Sequence, residues 1–461
     1  MLMVRAVSVF GGTLQYVVQR GRIGAAEVSE VRILFITPYV PSPIRVRPYN
    51  LIKGLAARGH TITLLALTPG DEGKYVPDLR PYCQQIESVP FSRSQALEGV
   101  CYALLTGAPL QAAYGRSRRM IALLSDLLGR ESFDVVHVEH LRASILGEII
   151  RDLPKVYDSV DCISLSFERT IALNPQWSNR LLARLDLGRT RRYEGRLARE
   201  YERVLVTSSE DRAALQELTA RYGRADEVKL VEVLPNGVDL NYFAPQNLPR
   251  QDETIVFSGK MSYHANVASV LYLVHEIMPL VWRERPSVGL WVVGQSPTRA
   301  VQALAKDERV KVTGFVPDLR PYLAQAAVAV SPIRYGVGIQ NKVLEAMAMG
   351  TPVVTSPRAR LALRAEPGED LLVADSPAAF AEQVLRLLGD DLLRQQIGTN
   401  GRCYVEKHHD WFAIAGDLER IYYEVLAGSQ AADLVLSKPR PDHQQSVAPR
   451  TPCCDEECKL Q

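Results

Sequence analysis

Residues 335–354 read YGVGIQNKVLEAMAMGTPVV, which sets a lysine and a carboxylate three positions apart directly behind a glycine-containing loop. Lys342 and Glu345 fall on one face of an apolar helical stretch, and Val343, Leu344 and Met347 pack the opposite face. Glycine lets a ligand come close to the backbone, and a helix N-terminus offers unpaired N–H groups at the positive end of a dipole. Lys342 adds a full positive charge for phosphate oxygens. Glu345, one turn deeper, is placed to accept hydrogen bonds from a vicinal diol such as a ribose. The arrangement suits a nucleoside diphosphate, whereas the plainer reading of the same spacing is an exposed i,i+3 ion pair.

Other residues could take part in the same chemistry. Lys260, in TIVFSGKMSYHAN, comes just after a strand and a glycine and would reach the diphosphate from the other side. FDVVHVEHLRAS places His137, Glu139 and His140 at a strand end. His137 alternates with Val136 and Val138, the spacing of a packed residue. His140 lies one step past the strand, where an imidazole would face a cleft. TPYVPSPIRVRPYN carries Arg45 and Arg47 on the loop after the first strand. Both are candidates for a phosphate or an acceptor, with a solvated loop as the alternative.

The elements that must position these residues alternate regularly from residue 31. VRILFIT, TITLLAL, FDVVHV, KVYDSV, ERVLVTSS and KLVEV are short apolar runs separated by helical stretches, the pattern of a parallel sheet covered on both faces. A long polar helical stretch, about 176–200, lies among them. The connector APQNLPRQDE (244–253) interrupts the alternation, and a second series follows: TIVFSG, GLWVVG, VKVTG, AVAVSP, PVVTS and DLLVA. The expected fold is α/β, with two consecutive doubly wound parallel sheets. In such sheets ligands bind beyond the carboxyl ends of the strands, so two facing sheets make a cleft lined by strand-end loops. The expected organisation is an extension over residues 1–30, a first domain over 31–245 and a second over 246–408. A helix over 409–427 then packs back toward the first domain, and a polar tail over 428–461 is expected to be disordered.

Composition sets bounds on function. The 461 residues carry 54 basic and 52 acidic side chains, a net charge of +2 that gives no footprint for nucleic acid. Seven cysteines, an odd number without paired ligand spacing, predict a reducing cytoplasmic compartment and no metal site. No apolar run reaches the ~18–20 residues of a membrane span. The opening MLMVRAVSVFGG lacks the form of a signal peptide.

With these residues in this order, the chain resembles the retaining glycosyltransferases of the GT-B fold, in the large family 4 group, over about residues 31–427. LAARGHTITLLAL, VLPNGVDLNYFAP and GVGIQNKVLEAMAMGTPVV carry the resemblance, and the last of these is most similar to sugar transferases of exopolysaccharide systems. The resemblance implies a nucleoside-diphosphate sugar donor, a glycan or lipid-linked acceptor, retention of anomeric configuration and no metal or other cofactor. It implies that Lys260 and Lys342 bind the diphosphate and Glu345 the ribose. The backbone of the segment Gly338, Ile339, Gln340 and Asn341 would bind phosphate and sugar, and His140 or His137 would contact the transferred sugar. A lipid-linked acceptor would bring the first domain to the inner face of the membrane as a peripheral protein. Three features depart from the family pattern. Val337 stands where the first motif glutamate is usual, PSPIRVR replaces a glycine pair after the first strand, and the second basic residue expected after Lys260 is absent, with Asn266 nearby. The first departure keeps open a nucleotide-sugar binding protein without transfer, and the shared architecture keeps open a GT-B-like sugar-nucleotide epimerase.

Overall fold

The computed structural model describes residues 30–173, 177–334 and 339–436. Apart from Glu30, the expected N-terminal extension lies outside these residues, as does the tail from residue 437.

The first lobe is built on seven parallel strands: β1 (Arg32–Thr37), β2 (Thr61–Pro69), β3 (Gln85–Phe91), β4 (Val135–Glu139), β5 (Lys155–Val160), β6 (Arg203–Val206) and β7 (Val231–Val233), in the order β3-β2-β1-β4-β5-β6-β7. The central strands are apolar because helices cover both faces; in β1 only Arg32 is exposed. β3 is absent from the sequence expectation. It is an edge strand with polar residues and Pro90, which an edge accommodates because no further ladder partner needs its missing N–H. The second lobe has six strands: β8 (Gln251–Ser258), β9 (Gly289–Val293), β10 (Val310–Gly314), β11 (Ala326–Ser331), β12 (Val353–Thr355) and β13 (Leu372–Val373), in the order β10-β9-β8-β11-β12-β13. Strand order reverses at β1/β4 in one sheet and at β8/β11 in the other, which puts a switch-point crevice at the carboxyl ends of each pair.

Several helices frame these crevices. α1 (Val46–Ala57) follows β1 and stops where Gly59 takes a φ of +92°. α2 (Arg93–Thr106) starts with a capping box in which Ser92 and Gln95 exchange side chain-to-backbone hydrogen bonds. α3 (Leu110–Tyr114), α4 (Ile163–Leu173) and α5 (Trp177–Leu197) lie on the first lobe. α6 (Asn341–Ala348) is the lysine–glutamate helix, and α7 (Trp411–Leu436) ends the described chain. α7 runs nine residues beyond the expected end at 427, so residues 428–436 of the expected tail are helical where disorder was expected.

The chain crosses between the lobes twice, near residue 238 and near residue 410, and the crossings meet at a Val238–Asp410 bridge. α7 then packs on α1 within the core of the first sheet. Gly54 makes this close approach possible, since a Cβ there would lie 2.4 Å from the Cβ of Ala415. Glu419 of α7 accepts from Arg58 at 2.8 Å and lies 2.8 Å from His60 Nε2. Among the described residues one helical stretch, His264–Glu284, is long and apolar enough to cross a membrane; half of it is buried, and it supplies core residues to the second lobe.

Candidate functional site

α6 shows how the local sequence builds a site. Val343, Leu344, Ala346, Met347 and Ala348 are buried against the second sheet, which leaves Asn341, Lys342 and Glu345 on the remaining face. The helix ends at Gly350, whose φ is +67°, and the Thr351 N–H closes it on the Ala346 carbonyl at 2.9 Å. The stem of Lys342 is buried, and its ammonium sits 4.4 Å above the centre of the Phe257 ring and donates to Asn266 Oδ1. Asn266 Nδ2 in turn donates to the Lys260 carbonyl at 3.0 Å, so the strand-end loop and the helix are tied together.

The loops after β8 and β9 meet through Gly259 and Gly294, with φ of +143° and +150°. A Cβ on Gly294 would lie 1.7 Å from the Gly259 carbonyl oxygen, and one on Gly259 would lie 2.8 Å from Asn266 Nδ2. Only glycine fits at either position. The result is a wall of bare backbone beside two cationic side chains.

This wall faces a cavity of about 650 Å³ between the lobes. Lys260, Gly294, Asn341 and Glu345 line it from the second lobe, and Ile44 and Lys53 from the first. Burial pulls the Lys342 amine down to about 7, with Glu345 opposing. Burial pushes the Glu345 carboxyl up to about 7, with Lys342 opposing. Desolvation has thus cost both groups more than their mutual attraction returns, and an incoming anion would restore the lysine's charge. The i,i+3 pair is not a solvated surface pair.

The structure also places the remaining sequence candidates. Lys260 is exposed on the cavity wall. Gln340 is the N-cap of α6, and its carbonyl accepts from the Val343 N–H at 2.9 Å. The Ile339 side chain is buried in the core beneath α6, so any ligand contact from this residue is through its backbone. Gly338 lies outside the described residues, as does Val337. Asn341 is 3.5 Å from Asn236 Nδ2, and this contact joins α6 to the crossover segment.

In the first lobe His140 stands just past β4 with a φ of +68°, held there by its N–H donating to the Asp158 carbonyl at 2.7 Å. Its Nδ1 accepts from the Arg142 N–H at 3.2 Å, which leaves the proton on Nε2. Burial, with Arg142 and Arg45 adding to it, drives the imidazole down to about 3, so the ring is neutral across the physiological range. It is a hydrogen-bond donor through Nε2. Arg45 is half-exposed, stacked 4.4 Å over the Tyr39 ring and paired with Glu72 at 3.1 Å, and its neighbours Ile44 and Val46 line the cavity.

Two candidates are corrected. His137 has no exposed surface: it stacks 4.2 Å on Phe35, and its Nδ1 lies 2.9 Å from the Tyr422 hydroxyl of α7. The period of two turns it into the sheet's covered face, where it packs and does not contact a sugar. Arg47 is 5% exposed, and its guanidinium is committed to Asp158 at 2.7 Å, the Pro235 carbonyl and Asn236 Oδ1. Burial works against the Asp158 charge, yet Arg47 and His137 outweigh it and hold the carboxyl below its usual range. Arg47 therefore braces α1 against the crossover instead of binding phosphate. Lys53 and Asn236 escaped the sequence reading as site residues, although Asn236 lies inside the quoted Asn-Gly segment. Asn266, noted in the sequence only for standing near a missing basic residue, accepts from the Lys342 ammonium.

Among the described residues no group of three or more His, Cys, Asp or Glu side chains is placed to hold a metal ion.

Comparison with known proteins gives the same picture. Residues 44–237 match the family described as "Glycosyl transferase 4-like domain", and residues 252–390 match "Glycosyl transferases group 1". A GDP-mannose-dependent monoacylated alpha-(1-6)-phosphatidylinositol monomannoside mannosyltransferase of Corynebacterium glutamicum is 29% identical over 231 residues, covering 45% of this chain and 57% of that protein. The chain thus matches little more than half of that relative's length. Sucrose-phosphate synthase of Thermosynechococcus elongatus superposes with a TM-score of 0.66 at 19% identity, over 87% of this chain and all of that one. Anabaena HepE, solved with UDP and glucose, gives 0.59 at 17% over 89% of this chain and all of that one. WaaG, a glycosyltransferase involved in lipopolysaccharide biosynthesis, gives 0.57 at 16% over 85% of this chain and 99% of that one. With two facing parallel sheets and a family match on each lobe, this chain belongs to the GT-B glycosyltransferases of the group 4 type.

Proposed function

We propose that the protein transfers a sugar from a nucleoside-diphosphate sugar to a glycan or lipid-linked acceptor, with retention of configuration and without a metal, in exopolysaccharide or cell-envelope glycan assembly. Its place of action is the cytoplasm, at the inner face of the membrane. One observation carries the proposal: Lys342 and Glu345 share the outer face of α6, where Glu345 lines the cavity between the lobes and the Lys342 ammonium lies against Gly259 of the Gly259–Gly294 backbone wall. Lys342 and Lys260 take the diphosphate, together with the N–H groups at the start of α6, and so supply the charge stabilisation a metal gives elsewhere. Glu345 accepts from the ribose hydroxyls, and His140 donates through Nε2 to the transferred sugar.

Transfer on one face balances without a protein base. The bond from the anomeric carbon to the diphosphate oxygen breaks, the bond to the acceptor oxygen forms on the same face, and the acceptor's proton passes to the departing phosphate. Two comparisons support the choice of ligand. HepE has been solved with UDP and with UDP-glucose. The Corynebacterium relative is named for GDP-mannose and an acylated phosphatidylinositol mannoside. The test is a thermal-shift panel of sugar nucleotides in the presence of a chelator, repeated with Glu345→Ala. A donor at a hundredfold excess over its Kd is worth about 2.7 kcal/mol of apparent stability. Stabilisation by at least one donor, lost in Glu345→Ala, is expected; no stabilisation, or the same stabilisation in both proteins, overturns the assignment.

A further inference from the structure

The second sheet is left partly open at one edge. Side chains alternate along β9, so Leu290 and Val292 are buried in the core on one face while Trp291 turns to the other and is half-buried. Lys311 of the edge strand β10 stands in register beside Trp291 and is exposed. The short helix Arg320–Gln325 packs over β8 and β11. A groove of about 480 Å³ remains along the β9–β10 edge, with Gln251, Trp291, Lys311, Pro317, Tyr322 and Gln325 in its walls.

This groove combines ring surfaces with unspent hydrogen-bonding groups. Trp291 and Tyr322 meet edge to face, their ring centres 5.5 Å apart and their planes at 82°. Lys311 Nζ lies 5.9 Å from the Trp291 ring centre, at the outer limit of a cation–π contact. Gln251 donates to Gln325 Oε1 at 3.0 Å, which leaves the Gln325 amide nitrogen for another acceptor. Among the described residues, Trp291 Nε1, the Tyr322 hydroxyl and Lys311 Nζ have no hydrogen-bond or ion-pair partner. Trp282, in the core of the same lobe, spends its indole N–H on the Val288 carbonyl at 2.8 Å. Aliphatic side chains would fill the edge equally well, so packing does not account for two aromatic residues with free polar ends.

The same groups select the class of ligand. A sugar ring has an apolar C–H face to lay on an aromatic side chain, and hydroxyls at its edge for amides and an ammonium. A phosphorylated ligand would meet one uncommitted cation, Lys311, because both oxygens of Asp318 hold Arg320, at 2.9 and 2.8 Å. A protein partner would find the two rings hemmed in by Gln251, Lys311 and Gln325, without a broad apolar floor. Val316 and Pro317 line both this groove and the cavity between the lobes, so the groove opens at the rim of the donor site.

We propose that the β9–β10 groove is a second saccharide-binding site, where a glycan packs on Trp291 and Tyr322 and hydrogen-bonds to Lys311 and Gln325. The choice of a glycan rests in part on the transferase reading, but binding is measured without donor or turnover, so the two fail separately. The full chain is screened on an array of oligosaccharides of glucose, mannose, galactose and rhamnose, with and without uronic acids, and the strongest ligand is titrated by calorimetry. Binding of at least one oligosaccharide is expected, weakened about tenfold in Trp291→Ala, the scale of one aromatic contact. Lys311→Ala with Gln325→Ala alters only groove-facing polar groups and should weaken it about fivefold at an unchanged melting temperature, which keeps the test decisive if Trp291→Ala does not fold. Glu345→Ala should bind the oligosaccharide like the wild type. No binding across the array overturns the proposal. So does wild-type binding by either folded groove variant, or loss of binding in Glu345→Ala, since the glycan would then sit in the cleft.

Discussion

Lys342 offers the sharpest check on the site because its charge in the free protein is incomplete. Its amine sits at about 7 and must be protonated when a diphosphate arrives. One phosphate charge about 4 Å away is worth about 4 kcal/mol at an effective dielectric of ~20. At about 1.4 kcal/mol per pKa unit, that moves the amine up by roughly three units, to ~10 in the complex. Between these two values donor binding takes up a proton, so affinity falls with rising pH. At pH 8.5 about 3% of the free amine is protonated, which predicts a Kd ~30-fold weaker than at pH 6. Glu345 acts in the opposite direction, because its carboxyl titrates near 7 and accepts best when ionised. The wild-type profile should therefore be bell-shaped near neutrality. The Glu345→Gln background isolates the alkaline limb and starts it at lower pH, since Glu345 supports the lysine's charge. Lys342→Met keeps the stem over Phe257 and should flatten that limb, weakening binding by about 1.5–3 kcal/mol at pH 6, the worth of a charged hydrogen bond. Calorimetry with a sugar nucleotide, whose diphosphate does not titrate in this range, in two buffers of different ionisation enthalpy reads both affinity and proton uptake. An unchanged pH profile in Lys342→Met, or no proton uptake by the wild type at pH 8.5, refutes the placement of this amine at the diphosphate.

Two further outcomes follow from the first lobe. His140→Ala should bind donor with wild-type affinity and transfer far more slowly, and the wild-type rate should show no inflection from this imidazole above pH 5, because the ring is held at about 3; equal transfer rates in single-turnover assays would remove His140 from the site. Arg47→Met leaves Asp158 buried without its cation and should cost about 3–5 kcal/mol at pH 7. Asp158 sits below its usual range when paired, so its contribution is present above the unfolded pKa and lost as pH falls, and the gap between variant and wild-type melting temperatures should narrow toward pH 4. A gap that does not change with pH would assign the loss to packing alone.

Much of the second lobe was legible in the chain. Each of its six strands is a short apolar run followed by a helical stretch, and α6 announces itself through a lysine–glutamate pair on an otherwise apolar helix closed by Gly350. The edge strand β3 was not legible because an edge needs neither a full apolar run nor every ladder hydrogen bond, and Pro90 counted against it. Nor was the outward face of α5. Its arginines dominate the local composition, so the stretch reads as polar, and only burial shows Trp177, Leu181 and Leu185 exposed while Asp186 and Glu194 turn inward.

Sequence alone determined the periodicities: two parallel-sheet lobes, the connector between them, and a coil-to-helix junction with a cation and a carboxylate one turn apart. These are local properties, because strand and helix repeats and glycine stops depend on neighbours a few residues away. Tertiary structure decided which charged side chains meet the cleft. Arg47 and Lys53 lie on the same helix, yet Arg47 is held inward by Asp158, 111 residues away, while Lys53 lines the cavity. His137 and His140 are three residues apart, yet His137 is sealed against Tyr422, 285 residues further along the chain, while His140 stands just past the strand end with its N–H on the Asp158 carbonyl. A side chain's role is set by the partners that folding brings to it, and those partners have no fixed spacing in sequence.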